Sequence, residues 1–196
     1  LWEPSAIKQT LILNRDIFIR TLTFLTTFSI FTALSSAMGT LVLAENALLL
    51  QILTLTVYLI DGLAYATESL VGIFTGKGIK EQLFPLLRMA TQTSVITGLG
   101  IAVVCVLFPN SIFGLLTNHG DVVLRLESYV VWLLPVLGFA SIAFILDGYF
   151  LGLAEGKILR NTALVATVIG FMPFAIVAWQ FQSVNIPGEN DDTFVV

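Results

Sequence analysis

The sequence predicts an all-α fold, a polytopic transmembrane helix bundle of about five spans. Three observations carry that expectation. Of 196 residues, 57% are hydrophobic and only 11% charged, against about 25% charged in soluble domains. Mean hydropathy is +0.94, and the charges fall in clusters separated by uncharged runs of the roughly 20 residues that a bilayer crossing needs. Runs of alternating strand period are absent, and backbone in lipid must satisfy its own hydrogen bonds, so helices are the economical structure for such runs.

Taken in order, the spans are expected at about 17–38, with Arg20 near the start, then 47–74, 89–108, 128–153 and 162–181. Together 1–182 form one bundle, and 183–196 form a polar acidic tail with Glu189, Asp191 and Asp192. Gly76 and Gly78 flank Lys77 in a tight loop, and Pro109-Asn110 ends the third span, because proline cannot continue a helix from within. Pro135 and Pro173 fall inside the fourth and fifth spans, where each is expected to kink the helix. Between Ser111 and Leu126 the pattern is amphipathic and predicts a short interfacial helix followed by a loop that holds His119. Most of the 15 Phe residues are expected to face lipid.

Basic residues set the expected orientation, since short loops rich in Lys and Arg stay inside. Lys8, Arg15 and Arg20 precede or open the first span, Lys77, Lys80 and Arg88 follow the second, and Lys157 and Arg160 follow the fourth. Arg125 stands alone on the other side, which puts the N-terminus inside and the tail outside. A net charge of -4 argues against nucleic acid as a partner. One cysteine, Cys105, and one histidine, His119, exclude a disulfide framework and make a protein-built zinc site implausible. No cofactor is expected. The chain opens Leu1-Trp2-Glu3 with neither Met nor a basic segment, which predicts no signal peptide and reads as a fragment of a longer protein.

A carboxylate at the centre of a spanning helix costs about 2.5 to 3.5 kcal/mol on insertion scales and needs a reason to be there. Asp61, Glu68 and Asp147 meet that description. Glu68 lies two helical turns after Asp61, so Asp61, Ala64, Tyr65 and Glu68 are expected on one face. No Lys, Arg or His is expected at midplane depth, so no internal salt bridge is expected either. Each acid is then protonated, set in a wet cavity, neutralised by an external cation, or used as hydrogen-bonding glue between helices. Tyr58, Tyr65 and Tyr149 lie within four residues of these acids and can offer hydroxyl donors and aromatic faces to a cation. The hydroxyls of the first span, Thr21, Thr23, Thr26, Thr27, Ser29, Thr32, Ser35 and Ser36, either line a cavity or bond back to carbonyls four residues earlier. No enzyme motif is present. The context Leu59-Ile60-Asp61 and Ile145-Leu146-Asp147 differs from that of intramembrane aspartyl proteases.

At these residues the sequence resembles the C-terminal lobe of a multidrug and toxic compound extrusion (MATE) transporter of the DinF-like branch. The stretches are Leu13-Asn14-Arg15-Asp16-Ile17-Phe18-Ile19-Arg20-Thr21, Val42-Leu43-Ala44-Glu45-Asn46-Ala47-Leu48-Leu49-Leu50-Gln51, Asp61-Gly62-Leu63-Ala64-Tyr65-Ala66-Thr67-Glu68-Ser69-Leu70-Val71-Gly72, and Leu146-Asp147-Gly148 with Arg160-Asn161. The resemblance implies helices seven to eleven of a twelve-helix, two-lobe protein that exchanges protons or sodium for organic cations. It implies a missing N-terminal six-helix lobe as partner, a small organic substrate, and residence in the lipid bilayer of a bacterial inner (plasma) membrane. Asp147 matches the tenth-helix acid linked to cation binding, whereas the seventh-helix acid has no counterpart after Asp16. The expected function is therefore part of a cation-coupled antiporter working by alternating access, with Asp61, Glu68, Asp147, Tyr58, Tyr65 and Tyr149 as the ion-coupling or substrate-binding residues. The alternative is a non-transporting membrane scaffold or assembly subunit, which could lose the midplane acids without cost.

Overall fold

The computed structural model describes residues 4–117, 122–123 and 126–185. Asn118, His119 and Arg125, and the acidic tail beyond Asn185, lie outside the described residues. Two long helices come first, α1 (Pro4–Ala37) and α2 (Thr40–Gly76). A 3-10 turn at Lys80–Gln82 leads into α3 (Leu83–Leu107), and α4 (Pro109–Leu116) follows at once. A second 3-10 turn, Val130–Trp132, opens α5 (Leu133–Gly152). After it, α6 (Gly156–Val165) widens into a π-helical stretch, Ala166–Phe171, and resumes as α7 (Met172–Asn185). Five segments are long and apolar enough to cross a membrane: Ile7–Ala37, Val42–Gly76, Lys80–Leu107, Val130–Gly152 and Gly156–Gln180. The expected class and number of spans agree with this, and no strand occurs among the described residues.

The breakers act as their chemistry requires, though not always as expected. Gly39 (φ 110°) separates α1 from α2 and Gly78 (φ 73°) closes the turn after α2, both in the left-handed region that suits glycine. Pro109 sits in the first turn of α4, where its missing N–H costs nothing. Pro135 lies in the first turn of α5, just past the 3-10 turn, so it opens a helix instead of kinking one. Pro173 is the second residue of α7 and follows the π stretch, in which the Met172 N–H donates to the Thr167 carbonyl five residues back. Helix distortion at that proline takes the form of a widened turn.

Helix α5 is the hub, packed along both α2 and α3, while α1 packs mainly on α6. Lipid tails are as apolar as leucine, so association in a membrane depends on close approach of small residues and on interhelical hydrogen bonds. The α2–α5 seam shows this directly. Gly148 faces the Ala64 backbone, and Gly152 lies against the Glu68 carbonyl and Val71. On the other side Gly98 faces Ser141, and the Ser94 hydroxyl donates to the Ser141 carbonyl at 3.0 Å. Ile60, Val71, Leu137 and Ile145 are fully enclosed in these seams. Large apolar side chains instead cover the outside, Phe18, Phe24, Phe84, Phe108, Phe139 and Phe174 among them, whereas Phe113 on α4 is buried.

Candidate functional site

The site grows from a polar face of α1. Asp16, Arg20, Thr23 and Thr27 recur at helical spacing and so lie on one side of the helix. Helix α1 begins at Pro4, and its membrane-length segment at Ile7, ten residues before the expected start. Arg20 is therefore flanked by helix on both sides within that segment. Its Nη2 donates to Oδ2 of Asp147 on α5 in an ion pair across 127 residues of sequence. Both side chains are shielded, 21% and 30% exposed. For Asp147 this corrects the expectation that no basic partner exists within the chain.

Asp61 lies near this level: Gly148 packs on the Ala64 backbone, Asp147 comes just before Gly148, and Asp61 comes about one helical turn before Ala64. Asp61 is half-buried and has no ion pair among the described residues, so the ionic contact between helices here is that of Arg20 with Asp147.

Glu68 is two turns away on α2, half-buried, with no ion pair among the described residues. Tyr58 and Tyr65 are 70% and 65% exposed, and Tyr149 is half-buried edge-on to Phe150 with ring centroids 5.6 Å apart. Ala64 does not share an environment with Tyr65, since Ala64 is buried against α5 while Tyr65 turns outward by about 100° of helical rotation. The α1 hydroxyls resolve toward back-bonding: Thr21, Thr23, Thr26, Thr27, Ser29, Thr32 and Ser35 each donate to the carbonyl four residues earlier.

Sequence reasoning missed a second ionic contact near the α5–α6 turn. Asp16 is 1% exposed and accepts from Arg160 on α6 at 2.8 Å and from Arg15 at 3.0 Å. Leu13 and Asp16 also close over Gly156. Above them the Thr27 and Thr167 hydroxyls meet at 3.1 Å, so α1 is tied to α6 and the π stretch at both levels. The available signal was the polar spacing Asp16, Arg20, Thr23, Thr27 inside an otherwise apolar helix. Among the described residues no cluster of His, Cys, Asp and Glu could hold a metal ion.

Comparison with known proteins places this arrangement. The family model described as MatE matches residues 17–177. The chain is 35% identical over 161 residues to DNA damage-inducible protein F of Escherichia coli (strain K12), covering 81% of this chain and 35% of that protein. It is 24% identical over 136 residues to Protein DETOXIFICATION 45, chloroplastic, of Arabidopsis thaliana, covering 69% of this chain and 24% of that protein. Protein DETOXIFICATION 44, chloroplastic, of the same plant is 26% identical over 153 residues, 78% of this chain and 29% of its own length. The matched chain thus spans about a third or less of each of these relatives. No solved structure matches.

Proposed function

The chain belongs to the MatE family, and from that premise we propose that it is one lobe of a cation-coupled secondary antiporter. In this reading it exports organic cations by alternating access in exchange for protons or sodium, and a second six-helix lobe completes the central cavity. The word detoxification in the names of two relatives supports removal of compounds as the task.

One observation supports the reading: on separate membrane-length helices, Asp147 is paired with Arg20 while Asp61 is half-buried with no ion pair among the described residues. A surplus carboxylate within a bilayer is costly and calls for a cation. A proton, a sodium ion or an organic cation can each supply that charge, and ligands that neutralise the same acid exclude one another. Mutual exclusion at one acid is the minimal device for exchange, provided the two lobes expose it to one side at a time. Asp61 is the acid assigned to coupling, since Asp147 is already paired. Glu68, Tyr58, Tyr65 and Tyr149 have, on this reading, at most a secondary part.

The experiment is dye efflux from proteoliposomes of the two-lobe protein. An imposed proton or sodium gradient should drive uptake or release of a cationic dye, and dissipating the gradient should stop it. A protein that inserts and folds yet moves no dye under either gradient would instead fit a scaffold.

A further inference from the structure

Close packing divides the chain into two units. Helices α2, α3 and α5 pack along one another, while α1 packs along α6, the π stretch and α7; its contact with α2 is slight, and it does not pack along α5. The glycine contacts fall the same way. Among the described residues, every glycine whose Cβ would meet another helix meets one in its own unit: Gly72, Gly98, Gly138, Gly148 and Gly152 in the first, Gly156 in the second. Two turns join the units, each with a residue in the left-handed region. One holds Gly39 (φ 110°), beside which the Asn46 amide donates to the Ser35 hydroxyl at 2.9 Å, and the other holds Ala154 (φ 58°). Of the ion pairs among the described residues, those of Asp16 with Arg15 and Arg160 lie inside the second unit, and only Arg20–Asp147 crosses from one unit to the other.

We propose that the Arg20–Asp147 pair is a latch between these two units, and that once it opens they part about Gly39 and Ala154 and admit water beside Asp147. Apolar contact alone does not hold helices together in lipid, and the boundary between the units has no glycine seam to add close approach. An Asp147 carboxylate deprived of its guanidinium is a shielded charge without a partner, and its cost falls as soon as water reaches it. Parting of the units is what lets water in. Arg20 is thus a positioning residue, which acts by holding α1 on α5 and not by touching cargo. Such motion is internal to this chain and occurs whatever the protein carries.

The test is double electron–electron resonance on the two-lobe protein in detergent, with native cysteines, Cys105 included, replaced by alanine and nitroxide labels carried on cysteines introduced in pairs. Labels at Phe18 (α1) and Phe139 (α5) report across the boundary. Labels at Phe84 and Phe139 report within the first unit and labels at Phe18 and Phe174 within the second, all four side chains being exposed on this chain. Arg20→Gln removes the guanidinium itself, so that neither Asp61 nor Glu68 can take the place of Asp147. It should lengthen or broaden the Phe18–Phe139 distance by about 2 Å or more, the scale of helix shifts in switching proteins, and leave the two internal distances unchanged. Arg20→Asp combined with Asp147→Arg reverses the pair and should restore the wild-type distribution. An unchanged Phe18–Phe139 distance in a folded Arg20→Gln protein would overturn the proposal, as would equal broadening of all three distances. If Arg20→Gln does not reach the membrane, the reversed pair decides: wild-type distances support the latch, and a reversed pair that is shifted or fails to insert contradicts it.

Discussion

Substituting Gly148 by Ala should pry α2 from α5 and disturb the Arg20–Asp147 pair together. A Cβ at Gly148 would meet the Ala64 carbonyl oxygen at less than contact distance, with the Ala64 carbonyl carbon at 3.0 Å and Cα at 3.2 Å. These are backbone atoms in the middle of a 37-residue helix, so no rotamer change relieves them. The helices must separate by several tenths of an ångström along their tightest seam. Overpacking of this kind costs about 1–3 kcal/mol, and a loss on the order of 2 kcal/mol lowers the midpoint of a protein larger than this chain by roughly 2–4 °C. Gly62 is the control on the same helix, because a Cβ there meets nothing within 4 Å. Gly62→Ala should be neutral or slightly stabilising, since alanine favours helix. Thermal unfolding of the purified two-lobe protein in detergent, followed by dye efflux from proteoliposomes, reads both effects. Gly148→Ala should melt lower and transport less, because the clash with the Ala64 backbone moves α5, and Asp147 with it, away from α2. Midpoint and efflux matching those of Gly62→Ala would refute the argument that this contact sets the register of the site.

Other outcomes follow from the same geometry. Asp16→Asn removes a carboxylate that is 1% exposed and serves two arginines, so it should destabilise the α1–α6 junction by about 3 kcal/mol, seen as a lower unfolding midpoint. Asp147→Asn should cut dye efflux strongly, while Glu68→Gln, two turns from Asp61, should affect it least of the three acids. A cysteine at Thr40 should react with a membrane-impermeant thiol reagent added outside intact cells and one at Gly78 should not, as the loop charges predict; the reverse labelling would invert the orientation.

The number of spans was legible because bilayer thickness imposes a length that composition cannot hide, and five segments of that length and apolarity are present among the described residues. Ends were less so. Lys8, Arg15 and Asp16 look like a boundary in one dimension, yet α1 runs through them from Pro4, because a helix may carry charges on a face that a neighbour covers. The acids Asp61 and Asp147 were legible as anomalies in apolar sequence. The partner of Asp147 was not, since the Arg20–Asp147 pair depends on which face α1 turns to α5. Tyr58 and Tyr65, three residues before and four after Asp61, share its helical face and are exposed on this chain.

The most direct test of the coupling role is Asp61→Asn in the two-lobe protein, which keeps the side chain's shape and most of its hydrogen bonding and removes its charge. With Arg20 and Asp147 still paired, the charge at position 61 that calls for a cation is gone. The variant should insert and fold as wild type does, and ion-driven export of a cationic dye should fall by about tenfold or more. Normal expression with export at the parental rate across the pH range would contradict the assignment of Asp61 and leave the acids as structural contacts only.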